Sequence, residues 1–170
     1  MTDRLFLLQM AGMPGSGKSA LARLIGRRTA AVVIDKDVLK SAALAAGVED
    51  QLAGAIAYET LFALASHLLG QGLAVVLDSP SFYETIPAKG AAIAGERHVP
   101  YYFIECLCLD AEELARRLHD RPRLPSQPEG PLPAEWRTVS PAGAYLRIDT
   151  AQSIERCLAL ALDYLGVAAE

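Results

Sequence analysis

Largely apolar segments of strand length recur along this chain and alternate with segments of helical periodicity. A strand that is covered by helices on both faces of a parallel sheet is expected to be apolar throughout rather than alternating. Five segments have this character, and they span residues 5–10, 30–34, 73–77, 101–107 and 144–148. The pattern therefore predicts five buried strands, three of which stop abruptly at an aspartate.

Amphipathic patterns fill the intervals between the predicted strands. After the first strand, Leu21, Leu24 and Ile25 follow the i, i+3, i+4 spacing of one helical face, while arginines lie on the other side. Asp110, with Glu113 three residues later, has the signature of a helix N-terminus. Further helices are predicted over 38–46, 51–69, 84–97 and 154–165.

The sequence also predicts which face of the helix over 51–69 is buried. Leu52, Ile56, Leu64 and Leu68 lie at helical spacing and predict the apolar stripe of this helix. The stripe is the surface that such a helix is expected to bury against a neighbouring layer.

The alternation of strands and helices predicts a three-layer α/β fold, with a mainly parallel five-stranded sheet and helices on both faces. The order of the strands does not follow from the pattern. Five prolines from Pro122 to Pro133 preclude regular structure and predict an exposed excursion, which we interpret as a lid over about residues 121–135. We expect a single domain over residues 1–170, which is long enough to bury a full core.

Composition and charge narrow the class of function. The formal net charge is −4 at pH 7, so the chain has no overall basic field and binding to long nucleic acid is not expected. The three cysteines form no C-x-x-C motif and cannot all pair within the chain, which favours core thiols in a reducing cytoplasm. No apolar stretch approaches the length that crosses a bilayer, so we expect no membrane association.

Eight residues between the first strand and the first helix fit the phosphate-binding pattern G-x-x-x-x-G-K-[ST] at every fixed position. Glycine lets successive backbone N–H groups point into one concavity, because no Cβ blocks the approach of a phosphate. The lysine can supply a charge to the β- and γ-phosphates of ATP, and the serine hydroxyl can enter the coordination sphere of Mg²⁺. The loop consists of Gly12, Met13, Pro14, Gly15, Ser16, Gly17, Lys18 and Ser19.

Aspartates follow the second and third predicted strands. Asp35 and Asp37 come directly after the second strand, and Asp78 ends the third. Because ligands of parallel α/β sheets lie beyond the carboxyl ends of the strands, these side chains are expected at the same edge as the loop. Asp78 is suited to holding Mg²⁺, or else it is a turn-forming residue. Asp35 and Asp37 act on a substrate or only cap the next helix.

Taken together, these motifs resemble those of P-loop kinases over most of the chain. They are most similar to the small AAA-type ATP-binding kinases, a group that includes chloramphenicol phosphotransferase and the kinase domain of phage polynucleotide kinase. The resemblance implies a sheet of order 2-3-1-4-5 and transfer of the γ-phosphoryl group of ATP to a hydroxyl. It rests on the loop and on Asp35-Lys36-Asp37, Val75-Val76-Leu77-Asp78 and Arg117-Leu118-His119-Asp120-Arg121.

The resemblance also implies roles for single residues. Asp37 corresponds to the base that takes the proton from the acceptor hydroxyl, and Asp35 is the second candidate for that role. Arg117 corresponds to the arginine that packs on adenine, and Arg121 to the one that grips phosphate, a role that Arg123 can share. The alternative interpretation is that these arginines only face solvent, which is common on helices.

Lys40, Ser79 and Tyr83 flank the aspartates in sequence and are, with Asp35, the predicted contacts of the acceptor. We predict a cytoplasmic, ATP- and Mg²⁺-dependent kinase that phosphorylates a hydroxyl group of a small molecule. Two alternatives stay open: a nucleoside or nucleotide kinase, and a nucleotide-dependent ATPase or switch without an acceptor. The proline-rich lid differs from the helical lids of nucleoside monophosphate kinases. This difference weakens the inference that the chain shares their substrate.

Overall fold

A computed structural model of the chain describes residues 5–120, 122–127 and 136–168. Within these residues, every neighbouring pair of strands in the sheet is parallel, and the strand order is β2-β3-β1-β4-β5. The structure confirms the predicted α/β class and the order 2-3-1-4-5 that the resemblance implied. The five strands are β1 (Leu7–Ala11), β2 (Val32–Asp35), β3 (Val75–Asp78), β4 (Tyr101–Leu107) and β5 (Leu146–Asp149).

Helices in the described part of the chain follow the predicted segments closely. Oδ1 of Asp110 accepts a hydrogen bond from the backbone N–H of Glu113 at 3.0 Å, as expected of a helix N-terminus. The second helix begins at Lys36, two residues before the predicted start, because Asp35 is its N-cap. The helices are α1 (Lys18–Thr29), α2 (Lys36–Ala45), α3 (Asp50–Gly70), α4 (Thr85–Glu96), α5 (Ala111–Asp120) and α6 (Ile154–Leu165).

Two hydrophobic layers lie on opposite faces of the sheet, because successive side chains of a strand point in opposite directions. Leu8 of β1 belongs to a cluster with Ile25 of α1 and Leu165 of α6. Its neighbour Leu7 belongs to a second cluster, which contains Leu61 of α3 together with side chains of α4. Helices therefore cover both faces of the sheet, as the strand pattern predicts.

The cysteines are largely core residues. Cys106 and Cys157 are free thiols, buried in the cluster of α1 and α6. Cys108 falls one residue beyond β4 and is partly exposed. Two of the three cysteines therefore serve as small apolar side chains that fill the core.

Helix α3 buries a different face from the one predicted. Leu52, Ile56 and Leu64 of the predicted stripe are 55%, 40% and 37% exposed. Half of the six buried residues of α3 are alanines, which let the helix backbone approach its neighbours closely. The buried residues of α3 are Ala53, Ala57, Leu61, Phe62, Ala65 and Leu69.

The same helix is apolar on almost every side. Contrary to expectation, Asp50–Gly70 is long and apolar enough to cross a membrane by length and composition alone, the one such helix among the described residues. In the fold it lies on the sheet and against α2, with Leu61 and Leu69 fully or almost fully buried. One face of the helix thus packs in the core, and 33% of its apolar window is buried.

The register of the sheet brings the predicted site residues to one edge. Asp35, the last residue of β2, is the paired neighbour of Asp78, the last residue of β3. Met10 of β1 is the neighbour of Asp78 on the other side, and β1 leads directly into Gly12. The two carboxylates therefore lie beside the phosphate-binding loop, at the carboxyl edge where ligands of parallel sheets bind.

Candidate active site

Residues 12–17 form a tight turn between β1 and α1. Gly12 and Gly17 have φ angles of 152° and 76°, a region that favours glycine. A Cβ on Gly12 would lie 2.6 Å from the carbonyl oxygen of Cys106, so the turn needs glycine there for space as well. Gly17, the N-cap of α1, has no side chain with which to cap the first turn. The backbone donors at such a helix N-terminus are suited to a phosphate group.

Lys18 and Asp78 form a buried ion pair beside this turn. The Lys18 Nζ lies 2.6 Å from Oδ1 of Asp78, and the two side chains are only 11% and 1% exposed. Burial opposes the charge of the ammonium, but the Asp78 carboxylate raises the pKa of Lys18 above its ordinary value. The lysine is therefore positively charged at the position where a phosphate chain would meet it.

The other carboxylate oxygen of Asp78 is suited to a metal ion. Asp78 Oδ2 is buried and has no hydrogen-bond partner among the described atoms. Ser19 lies in the first turn of α1 and lines the same cleft as the loop. In the described residues, no group of three or more His, Cys, Asp or Glu side chains could hold a metal. The carboxylate of Asp78 and the hydroxyl of Ser19 fit Mg²⁺, which proteins usually hold with one or two carboxylates plus substrate phosphates.

The two aspartates after β2 lie in different environments. Oδ1 of Asp35 accepts from the backbone N–H of Asp37 at 2.8 Å, and burial and then the charge of Asp78 raise the pKa of Asp35. The carboxylate of Asp37 accepts from Nζ of Lys36 at 2.9 Å and from Nε2 of Gln127 at 3.1 Å. Although burial opposes the charge, these donors hold the pKa of Asp37 below its ordinary value. Asp35 is thus the helix cap, and Asp37 is the carboxylate whose ionised form its neighbours favour.

A cleft of about 620 Å³ opens over the loop, and Arg117 lines it. The Arg117 guanidinium is bound by the protein itself: Nε donates to Glu113 at 2.6 Å, while Nη1 and Nη2 donate to the Thr150 hydroxyl and carbonyl at 3.0 and 2.7 Å. The Thr150 hydroxyl lies 2.7 Å from the carbonyl oxygen of Ser16 and 2.8 Å from that of Leu107, and it can donate its one proton to either. Arg117 therefore connects α5, through Thr150, to the phosphate-binding loop.

Of the other two predicted arginines, only Arg123 is among the described residues. Arg121 lies outside the described residues, and Arg123 is exposed and does not line the cleft. Arg23 and Arg116 line it without having been predicted to do so. Arg116 is paired with the same Glu113 that holds Arg117, at 2.8 Å.

A second cavity, of about 460 Å³, adjoins the first, and both are lined by Asp37, Gln127 and two prolines. We call it the aromatic cavity, because aromatic rings from three parts of the chain line it. Phe82 and Trp136 pack edge to face with their ring centroids 4.8 Å apart. The aromatic lining residues are Tyr58, Phe82, Tyr83 and Trp136.

The predicted acceptor contacts lie in three places: the aromatic cavity, the cleft over the loop and the core. Lys40 and Tyr83 line the aromatic cavity, and Lys40 Nζ is paired with Asp50 at 2.8 Å. Asp35 lines the cleft over the loop instead. Ser79 is fully buried, lines neither space, and its hydroxyl has no hydrogen-bond partner among the described atoms.

Sequence analysis missed several residues of the site. Lys36 lies between the two predicted aspartates at the end of a strand, and that position was a signal for a site residue. Its Nζ lies 5.6 Å from the ring centroid of Tyr58, whose hydroxyl donates to the Pro80 carbonyl at 2.7 Å. Trp136 lines the aromatic cavity, although no sequence spacing indicated a site role for it, and none indicated that Gln127 would reach Asp37.

The fold and this site define a P-loop phosphate-binding protein of the kinase type, with the loop between β1 and α1 and a carboxylate at the end of β3. Residues 7–135 match the AAA domain family. The match covers more than half of the chain, and the chain belongs to this family. A search of proteins with curated function found none that matches by sequence.

Solved structures with the same architecture include several kinases. The APS kinase of Mycobacterium tuberculosis in complex with AMPPNP and APS is 22% identical, with a TM-score of 0.67 over 96% of this chain and 98% of that one. A gluconokinase from Sinorhizobium meliloti is 20% identical, with a TM-score of 0.65 over 96% and 93%. A sugar kinase from a Janibacter species is 17% identical, with a TM-score of 0.67 over 96% of each. These likenesses show a shared fold.

Proposed function

We propose that this protein is an ATP- and Mg²⁺-dependent kinase that transfers the γ-phosphoryl group to a hydroxyl of a small molecule. The observation that carries the proposal is the position of Asp37, which lines both the cleft over the loop and the aromatic cavity. A nucleotide in the cleft and an acceptor in the cavity would meet at this ionised carboxylate. A nucleotide switch needs the cleft, but it has no use for the second cavity.

The proposed reaction divides the work among residues of this chain. The loop amides and Lys18 bind the β- and γ-phosphates, while Ser19 and Asp78 would hold Mg²⁺. When bound, that ion neutralises charge on the phosphate oxygens. The acceptor oxygen forms a bond to the γ-phosphorus, and the bond from that phosphorus to the β,γ-bridging oxygen breaks. ADP leaves with the electron pair, and the acceptor proton passes to Asp37.

The lining of the aromatic cavity favours an acceptor that carries a ring. Rings and prolines offer apolar faces against which a flat or cyclic group can stack. The two lysines of the cavity are each paired with a carboxylate, Lys36 with Asp37 and Lys40 with Asp50. Balanced charges favour a neutral acceptor over an anionic one, so a nucleoside suits the cavity better than a nucleoside monophosphate does.

Three further expectations belong to this proposal. The segment 121–135 is proposed as a lid that excludes water during transfer, with Arg121 and Arg123 as arginines that would approach the phosphates on closure. We propose Lys40 and Tyr83 as acceptor contacts because both line the aromatic cavity. Free thiols at all three cysteines suit a reducing compartment, and we propose the cytoplasm.

The test is ADP formation from Mg·ATP in the presence of a panel of hydroxyl compounds. The panel contains nucleosides, neutral sugars, aminoglycosides, phenicols and short 5′-hydroxyl oligonucleotides. If the protein is a kinase, one class of compound in the panel should accelerate ADP formation, and the amount of phosphorylated compound should equal the amount of ADP. If Mg·ATP binds and is hydrolysed at the same rate with every compound and with none, the protein is an ATPase or switch instead. Omission of Mg²⁺ should abolish transfer.

A further inference from the structure

A short turn from the proline-rich segment is bound to the helix that carries Asp37. The hydroxyl of Ser126 donates to the backbone carbonyl of Asp37 at 2.9 Å, and it lies 3.0 Å from the hydroxyl of Ser41 on α2. The backbone N–H of Ser126 also donates to Ser41 Oγ, at 3.3 Å. The turn is therefore joined to α2 by several neutral hydrogen bonds, although some 90 residues separate the two in sequence.

Within this turn, the side-chain amide of Gln127 has a defined orientation. Its Oε1 accepts from the backbone N–H of Leu124 at 3.2 Å, while its own backbone N–H donates to the Leu124 carbonyl at 2.9 Å. An amide oxygen accepts and an amide nitrogen donates, so the first of these bonds directs the –NH₂ group away from Leu124. That group donates to Oδ2 of Asp37 at 3.1 Å. The turn thus presents one donor to one carboxylate oxygen.

We propose that Gln127 is a positioning residue for phosphoryl transfer, which orients the Asp37 carboxylate and keeps it ionised by donating to Oδ2. The inference rests on the proposed function, in which Asp37 is the base. Lys36 donates to Oδ1, so each carboxylate oxygen has one protein donor. An ionised carboxylate has about four lone-pair sites, which leaves room for the acceptor hydroxyl to bind as well.

The charged groups around Asp37 show why a neutral donor is useful at this place. Lys36 faces Oδ1 from α2, and Lys18 on α1 is close enough that the negative charge of Asp37 favours its ammonium form. The charge of Asp37 disfavours the ionised form of Asp35, after the larger effects of burial and of Asp78. Tyr58 on α3 stays neutral, because burial and then the charge of Asp37 raise its pKa. Gln127 is a donor to Asp37 that carries no charge into the aromatic cavity.

Two substitutions separate the donor from the turn. Gln127→Glu keeps an oxygen that can accept from Leu124 N–H, but replaces the donor to Asp37 by a negative charge. Gln127→Ala removes both contacts. The matched control is Gln152→Glu, which makes the same chemical change at an exposed residue whose amide donates to the Asp149 carbonyl at 3.2 Å.

The measurement is the pH titration of the Asp37 carboxyl by ¹³C NMR, on full-length protein labelled in its aspartate carboxyls and without added nucleotide. The signal is identified by its loss in Asp37→Asn. We expect the midpoint to move to higher pH in Gln127→Ala and further in Gln127→Glu, because a stabilising donor is lost and then a repelling charge is added. Gln152→Glu should titrate like the wild type. Coincident curves for the wild type and Gln127→Glu would overturn the inference.

Kinetics with the acceptor found in the panel distinguish this inference from the proposed function. In Gln127→Glu, the acidic limb of the pH–rate profile should move to higher pH, so the transfer rate should fall at acidic pH and recover as the pH is raised, because the base itself is present. A merely structural defect would lower the rate at every pH. If Asp37→Asn transfers at the wild-type rate, the proposed base is wrong. If Asp37→Asn is inactive while Gln127→Glu has an unaltered pH profile, only the role of Gln127 is wrong.

Discussion

The ammonium of Lys18 lies 2.6 Å from Oδ1 of Asp78, so the residue proposed to bind the phosphates and the residue proposed to hold Mg²⁺ neutralise each other. Both side chains are buried, and neither charge could remain there alone without a large cost in solvation. A nucleotide with its Mg²⁺ brings a negative partner for the lysine and a positive one for the aspartate. We therefore expect binding to exchange one set of ionic contacts for another.

Because the two charges are buried together, removing one of them should destabilise the fold more than removing both. Lys18→Met should lower the free energy of unfolding by roughly 3–5 kcal/mol, because the Asp78 charge stays buried without its partner. Lys18→Met/Asp78→Asn should recover most of that loss, while neither variant binds Mg·ATP with appreciable affinity. Urea unfolding and calorimetry measure the two effects. Unchanged Mg·ATP affinity in Lys18→Met would contradict the assignment of the loop.

Asp37→Asn tests the proposed base. We expect phosphoryl transfer to fall by roughly 10² to 10⁴, the usual loss on removal of a general base. Mg·ATP affinity should change little, since the loop around Lys18 determines it. Single-turnover transfer from labelled ATP, with nucleotide binding measured in parallel, separates the two quantities. Wild-type transfer in this variant would leave the Asp37 carboxylate without a catalytic role, and the same assay on Asp35→Asn would then decide whether that residue is the base.

Asp35→Asn should stabilise the folded protein at neutral pH. Asparagine caps a helix about as well as aspartate, so the bond to the N–H of Asp37 is kept while a charge that burial and Asp78 disfavour is removed. The pKa of Asp35 is higher folded than unfolded, so the cost of its charge is full above the folded pKa and disappears below the unfolded value of about 4. The melting temperature should rise by about 2–4 °C at pH 7. That gain should vanish in acid, and an equal gain at pH 3 would contradict the electrostatic explanation.

Arg117→Lys should weaken nucleotide binding without a change of charge. Lysine cannot donate to Glu113 and to both oxygens of Thr150 together, so the connection from α5 to the Ser16 carbonyl is weakened. The loss of hydrogen bonds worth about 1–2 kcal/mol corresponds to roughly tenfold in Mg·ATP affinity.

The matched control for this substitution is Arg116→Lys, at a neighbouring arginine that lines the same cleft and is 63% exposed. Exposed ion pairs contribute little, so calorimetry should show almost unchanged affinity. Equal losses in both variants would mean that the general positive charge of α5, and not the bonds of Arg117, supports the nucleotide.

The amino-acid sequence by itself determines the class of the fold and the phosphate-binding loop. Both depend on local information: apolar strands, helical periodicity, and glycines at the positions where the backbone turns sharply. The register of parallel strands then brings Asp35 and Asp78 to the same edge, because both residues end their strands. A strand end followed by a carboxylate is therefore a signal that can be recognised without coordinates.

Tertiary structure alone decides which residues complete the site. Asp37 meets Gln127 across some 90 residues of sequence, and Phe82 meets Trp136 from another loop. No local pattern encodes such contacts, because loop conformations and not periodicity bring the side chains together. The packing of α3 is decided in the same way: several of its sides are apolar, and the side that is buried is the one whose alanines and larger apolar residues fit together against the adjoining layer.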